Sequence, residues 1–441
     1  MSAFTIFVSP LKQTTRIDYS VKLKDAATSG EGMELLKDLT NTRTALLDLM
    51  GKWEAPQDAF MSTANAYLSL LRGLVDQVDG ASSPPQQPAA APAADGAAAD
   101  SQAAATAAAS GSFNKLRKLI AFYWTNTLGK HHISSDTDVQ FELISMLEDI
   151  AIWHTKKANL TLSAASAEEN DLKDAYKLLR VAAGILLFIE STQIARLTTS
   201  ASPSDTNPAA VRAYSSQLLA EAEEVSLARA VEKKHSPSLL AGIARDIADK
   251  FDAAAKGIAQ VKLDKVDKWS KYLAWKTKYY QAAAYMFLGL DLLSKDDCGN
   301  AIRAMTEAEK LLEQANALGK VFVDCEPKTP LKIHELPATQ ALSRQLRDSL
   351  AKAKRENDFI YFKKVPTELP ELAAPRAVVE PEPYALAPLS SRWTAQMYQS
   401  LNVSKVIPDV VPAAALEREE ANSKAAAKAQ HPVDKGACTI L

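Results

Sequence analysis

Cysteine is scarce: Cys298, Cys325 and Cys438 are the only three in 441 residues. Scattered this way they supply neither a disulfide framework nor a four-cysteine zinc cage, and they point to a reducing cytoplasm. Net charge is equally scarce. The 51 Lys and Arg against 53 Asp and Glu leave −2, and aromatics make up 7% of the chain, so no global field draws it to phosphate and nucleic acid is not an expected partner. No stretch has the uninterrupted apolar length of a membrane span, and MSAFTIFVSPLKQTTRIDYS lacks a basic region followed by a long apolar run. Phosphate loops, dinucleotide glycine runs and paired-histidine zinc motifs are missing too. His131-His132 has no carboxylate at ligand spacing and reads as polar loop, and His154 reads as a partly buried residue near a helix end. No catalytic constellation, cofactor or metal is expected.

What the chain does have is helical periodicity on the scale of a large soluble core. Hydrophobic residues make up 47%. The strongest signal runs from Val266 to Leu318. Trp269, Leu273, Lys276, Tyr280, Ala283, Ala284, Phe287 and Leu290 recur at three- and four-residue steps, with Lys276 lending its aliphatic stem. After a polar break at Lys295-Asp296-Asp297 with Gly299, the stripe resumes through Ala301, Met305, Ala308, Leu312 and Ala315. Such a hairpin, shaped like a tetratricopeptide unit, covers one of its own faces and needs neighbours on the other.

Those neighbours are legible on the N-terminal side. Leu35 to Met50 and Phe60 to Leu71 give two helices separated at Pro56, and Phe113 to Leu128 reads as another. Ser135 and Asp136 read as caps before a long buried helix through Leu143, Leu147 and Ile150. Asp171 to Ile194 continues the pattern, and Asn207-Pro208 and Ser236-Pro237 each open one more helix. Residues 1 to 24 read as short strands or an extended arm. Residues 81 to 111, rich in Ala and Pro, offer nothing to bury and read as a disordered insert. Past the helix marked by Leu342, Leu346 and Leu350, dense prolines from Pro366 to Pro388 require an extended strap packed on the helices.

Within the helix opened by Pro237 lies an apolar surplus. Leu239 and Ile243 stand one position before the core line, about 100° round the helix, and their column continues into Asp246 and Lys250. That pattern fits a local docking patch or a second covering helix.

KYYQAAAYMFLGLDLLSKDDCGNAIRAM, FELISMLEDIA, DLKDAYKLLRVAAGILLFIES, LLAEAEEVSLARAVEKK and ENDFIYFKKVP together resemble the signature segments of the Bro-one domain family. The resemblance implies an all-α (mostly) fold: a boomerang-shaped domain with a helical-hairpin solenoid core over residues 1–395, followed by a flexible tail over 396–441. It also implies a non-enzymatic adaptor that binds the C-terminal amphipathic helix of ESCRT-III charged multivesicular body proteins. In the family that helix lies on three apolar residues, whose positions fall on Leu239, Ile243 and Ser226. Serine replaces an aromatic there, which implies a weakened or re-tuned groove. Polar contacts of the family fall on Glu169 and Lys173.

The last four residues, Cys438-Thr439-Ile440-Leu441, fit a CaaX prenylation box, with the terminal leucine favouring geranylgeranyl. Prenyltransferase is thus an expected partner, and a C-terminal lipid on Cys438 would hold a cytoplasmic protein on endosomal or other membranes. One such chain binds only reversibly, so a partner on the membrane is expected as well. A prenylated scaffold for ubiquitinated or cytoskeletal cargo is the alternative reading.

Overall fold

A computed structural model describes residues 4–76, 115–128, 133–164, 168–198, 205–261 and 266–409. Residues 81–111, His131-His132 and the Cys438 box lie outside the described residues. The described elements are α1 (Tyr19–Lys22), α2 (Gly30–Met50), α3 (Gln57–Val75), β1 (Phe122–Thr125), β2 (Ile133–Asp136), α4 (Val139–Ser163), α5 (Glu169–Phe188), α6 (Pro208–Glu232), α7 (Pro237–Ala259), α8 (Asp267–Leu293), α9 (Cys298–Asp324), α10 (Pro337–Glu356) and α11 (Ala395–Gln399). From α4 to α9 each helix packs against the next, so the expected hairpin is the α8–α9 pair of a solenoid. Small residues set the spacing of that pair: Ala283, Ala284, Ala301, Ala304 and Ala308 are all buried. The turn between them is tighter than expected. Asp296 takes the left-handed conformation at φ 60°, Asp297 caps α9, and Gly299 is already helical.

Three local expectations are corrected, and the N-terminal alternative is decided. Phe113 to Leu128 is not a helix: its second half is β1, paired antiparallel with β2, and Thr14 of the N-terminal segment bridges to Trp124. Sheet pairing and the burial of Trp124, whose Nε1 donates to Glu142 at 2.7 Å, override a coincidental 3–4 spacing. Asp136 belongs to β2 rather than capping α4, and the cap is Asp138, which accepts from the Gln140 amide at 2.9 Å. The strands therefore lie at 122–136, and the N-terminus is an extended arm leading to α1. His154 is fully buried within α4, not part-buried at its end. Its Nδ1–H donates to the Ile150 carbonyl at 2.7 Å, and desolvation pulls its pKa down to about 4.

Both chain ends are laid across the solenoid. The arm buries Ile6, Phe7 and Val8, and Lys12 sinks among Glu148 (2.8 Å), Asp205 (3.2 Å) and Ser145 (3.3 Å). The C-terminal strap has six prolines between 366 and 388 and no regular secondary structure there. It revisits the helices in reverse order. Arg303 of α9 donates to the Thr367 carbonyl, Arg245 of α7 to Leu372 and Ala373, Glu223 of α6 accepts from the Val378 amide, and Arg180 of α5 donates to the Glu380 carbonyl. Arg72 of α3 then holds Ala387. At α5 the strap comes so close that any side chain in place of Gly184 would collide with the Glu382 carbonyl. Packing does not stop at residue 395: Met397 and Leu401 are buried, and Asp409 pairs with Lys22 at 2.8 Å. The packed body reaches at least residue 409.

Candidate partner-docking site

The residues expected to bind a partner converge on one end of α5, α6 and α7. At the start of α5, Glu168 and Asp171 form a reciprocal capping box. Glu169 points outward from it, 3.2 Å from Lys173 Nζ and 2.9 Å from Arg229 Nη2 on α6. The Lys173 hydrogen bond, and then the two positive charges, hold its carboxyl below the usual range. Both Glu169 and Lys173 remain exposed, so the pair is a solvated rim rather than a buried clamp. Ser226 sits one turn before Arg229 and is half-buried, and Val231 at the end of α6 is 42% exposed. The α6–α7 turn adds exposed Lys233, Lys234 and His235, with Lys234 in the left-handed region at φ 54°.

The apolar surplus on α7 divides. Leu239 is half-buried and packs against the core edge, whereas Ile243 is only 3% exposed. An exposed pair is thus corrected to one partly open residue and one covered one, for a geometric reason. With about 100° per residue, the column Leu239–Ile243–Asp246–Lys250 lies between the core line and the flank carrying Gly242 and Arg245. The column turns toward α6, where Lys250 Nζ reaches Glu223 Oε2 at 2.6 Å. The other flank is where the strap crosses: the Arg376 amide donates to the Gly242 carbonyl at 3.0 Å, and a Cβ on Gly242 would stand 3.1 Å from the Ala374 oxygen. Ile243, the residue after Gly242, is buried, and Leu239, at the first turn of α7, stays partly open.

Sequence reading missed the buried charges. Arg43 Nε donates to Glu142 at 2.8 Å, and Tyr67 and Trp124 complete that carboxylate's hydrogen bonds. Lys276 does more than lend its stem: its ammonium is buried against Glu224 at 2.6 and 2.7 Å. Beside it, Glu221 accepts from Tyr272 at 2.8 Å, and burial pushes its carboxyl up to about 8. These groups join helices to each other and to the arm. A cavity of about 580 Å³ between α7, α8, α9 and the strap is lined by Arg245, Asp249, Gln281, Tyr285 and Glu307, and it lies apart from the Leu239 edge. Among the described residues no group of three or more His, Cys, Asp and Glu is placed to hold a metal. Among the described residues one helix, Glu169–Arg196, is long and apolar enough to cross a membrane, and half of that apolar stretch is buried inside the fold.

A strapped helical solenoid with a charged rim and a small apolar edge is a scaffold-type architecture, in which stacked helices present an extended surface. The comparisons give it a family. Residues 110–429 match the model of the BRO1-like domain. The BRO1 domain-containing protein BROX of Mus musculus is 33% identical over 404 residues, spanning 90% of each chain. The chain belongs to the BRO1-like domain family. Among solved structures, an ALIX BRO1 domain in complex with CHMP4C superposes with a TM-score of 0.60 at 20% identity, covering 88% of this chain and 98% of that one. A structure described as the basis for endosomal targeting by the Bro1 domain gives 0.64 at 17% identity, covering 92% and 100%. The fold expected from the sequence is the fold observed.

Proposed function

We propose that this protein is a non-enzymatic adaptor of endosomal sorting that receives the C-terminal amphipathic helix of an ESCRT-III subunit. The receiving edge is formed by Leu239, Ile243 and Ser226, with Glu169 and Lys173 at its rim. The observation that carries this reading is the partly open Leu239 at the start of α7 together with exposed Val231 at the end of α6, ahead of the strap's contact with Gly242. The BRO1 domain seen with CHMP4C supports the partner class. A docking helix meets Leu239 and Val231 first and reaches Ile243 only if the seam widens. The rim, with Lys173, Arg229, Lys233 and Lys234, favours a helix carrying acidic residues on its flank.

Titration of the purified chain with an ESCRT-III C-terminal peptide tests the site. An apolar anchor in such an interface contributes about 2 kcal/mol, so Leu239→Asp should weaken binding roughly thirtyfold with an unchanged melting temperature. Unchanged affinity removes the edge from the function. Ile243 needs a gentler probe, Ile243→Ala with a melting control, because a carboxylate at so buried a position would unfold α7. Ser226, in place of an aromatic, favours a second reading in which the same edge serves other cargo, such as a ubiquitinated or cytoskeletal protein. Full-strength binding of the ESCRT-III peptide by Ser226→Ala would argue against any role for the hydroxyl.

The same proposal makes the packed body one BRO1-like unit, with the residues after 409 as its tail. Where Leu441 is the terminal residue in the cell, Cys438 is a geranylgeranyl acceptor for a prenyltransferase, giving peripheral membrane residence. Cys438→Ser should then shift the protein to the soluble fraction without altering peptide affinity.

A further inference from the structure

After α10 the chain makes one π-helical turn, Asn357–Tyr361, and leaves it through Phe362 in the left-handed conformation at φ 49°. A bulky aromatic residue in that region is strained and persists only where its surroundings impose it. Here they do. Buried Asn357 clasps the turn from both sides: its Nδ2 donates to the Lys363 carbonyl and its Oδ1 accepts from the Lys363 amide, each at 2.9 Å, and its own carbonyl accepts from the Phe362 amide at 2.7 Å. Tyr361 is tied to Asp296 of the α8–α9 turn at 2.5 Å.

The clasped turn displays rather than buries its apolar side chains. Phe359 is 77% exposed, Ile360 64% and Phe362 74%. Flanking them in the chain are five exposed cations, Lys352, Lys354, Arg355, Lys363 and Lys364, against Glu356, which Lys352 faces at 3.7 Å, Asp358, and Asp296 beside Tyr361. In a chain whose net charge is −2 this is a local excess of positive charge, with Lys354, Arg355, Lys363 and Lys364 in no ion pair among the described residues. We infer that this turn is an interfacial membrane tip, in which Phe359, Ile360 and Phe362 enter the headgroup region of an anionic lipid surface and the flanking cations pair with its charge. A protein helix would need a groove with walls. Side chains this exposed have no walls around them, and protruding aromatic and aliphatic groups ringed by lysines suit a bilayer interface. The tip sits at the start of the strap, so it and the Leu239 edge are separate elements. It would supply the second membrane signal that a single lipid chain requires.

Vesicle co-sedimentation of the full chain carrying Cys438→Ser isolates the tip from any lipid on the tail. Binding to vesicles with about 30% phosphatidylserine should exceed binding to pure phosphatidylcholine by roughly tenfold or more and fall as salt rises, because the attraction is screened within a Debye length. Phe359→Ser/Ile360→Ser should lower it about tenfold or more, and Lys363→Glu/Lys364→Glu should do the same by removing and reversing charge. Phe362→Gly separates this role from a structural one. It relieves the left-handed strain, so the melting temperature should rise while vesicle binding falls. Equal sedimentation with neutral and anionic vesicles overturns the inference, as does full binding by both double variants. Loss of ESCRT-III peptide affinity in these variants with no vesicle binding by the parent also overturns it, and reassigns the tip to a protein contact. Because Leu239→Asp and the tip variants alter separate elements, failure of one site leaves the other standing.

Discussion

The two chain ends perform one task with opposite chemistry. The N-terminal arm crosses the helices by going inside: Phe7 stacks on Trp269 at 6.4 Å between centroids, Gln217 donates to its carbonyl, Tyr272 donates to Thr5, and Lys12 is buried among three acids counting Asp149, which accepts its amide at 2.8 Å. The C-terminal strap crosses them by lying on top. Its hydrogen bonds are mostly main-chain, made to arginines and to helix carbonyls, and between 363 and 392 only Val379 is a buried hydrophobic residue. The arm is therefore part of the core, and the strap is a cover whose segments can open locally. That distinction bears on the proposed docking edge, because the strap, not the arm, meets α7 at Gly242, next to Ile243.

The largest expected effect is on the arm. Lys12→Met leaves Glu148, Asp149 and Asp205 facing each other without their cation, and breaking a buried pair typically costs about 3–5 kcal/mol. Global melting should drop sharply and protection should be lost across α4 and α6 together. Trp393→Ala removes the strap's best-packed anchor, which is 3% exposed and donates to the Leu70 carbonyl at 2.8 Å. A similar nominal cost, about 3 kcal/mol, should appear here as local exchange near residues 388–402, because the solenoid core stays intact. If the two variants melt alike with the same exchange pattern, arm and strap are not different in kind.

A pH series sharpens the comparison next. Glu221, which accepts from the Phe7 amide at 3.4 Å and neighbours Glu224, Lys276 and Tyr272, is raised to about 8 by burial. A carboxyl raised on folding adds stability that is full below its unfolded range near 4.5 and is lost as pH climbs through about 8. His154 acts in the opposite sense. Held near 4, it adds stability that is full above 6.5 and is lost as pH falls from there toward 4. Melting temperature should thus decline on the alkaline side through the arm's contact, and Glu221→Gln should flatten that limb while leaving the acidic one. No change of the alkaline slope in Glu221→Gln would detach the arm from this titration.

How much of this was legible follows from the range of each interaction. Helices α2 to α9 announce themselves because periodicity is local, and the prolines of the strap do so because a fixed φ and a missing amide need no partner. β1 was read as helix because Leu116, Leu119, Ile120 and Trp124 happen to recur at helical steps, and only Ser135 opposite Tyr123 and the arm beyond it reveal a strand. Lys12–Glu148 and Arg43–Glu142 join residues about a hundred positions apart or more, so no pattern in the chain marks them. Glu169 and Lys173 at the start of α5 stand beside Arg229 of α6, one turn from Ser226, and Leu239 opens the following helix. Ile243 does not share their exposure, and the strap residues 374–376 that meet α7 beside it at Gly242 lie more than a hundred positions away, beyond the reach of any local pattern.

The smallest expected effect probes that cover directly. Gly242→Ala adds a methyl that would stand 3.1 Å from the Ala374 oxygen and 3.3 Å from Arg376 Cβ, so the strap must yield by a few tenths of an ångström. Against that strain, alanine in place of a mid-helix glycine stabilises α7 by about 1 kcal/mol, so the net change in melting temperature should be close to zero. The local readout should not be. The Arg376 amide, bonded to the Gly242 carbonyl at 3.0 Å, should exchange faster, and an ESCRT-III helix should bind more tightly because part of the work of widening the seam at Ile243 is already done. Faster exchange with unchanged peptide affinity would mean that the strap and the docking edge are independent. Slower exchange with weaker binding would mean that the strap supports the edge instead of restricting it.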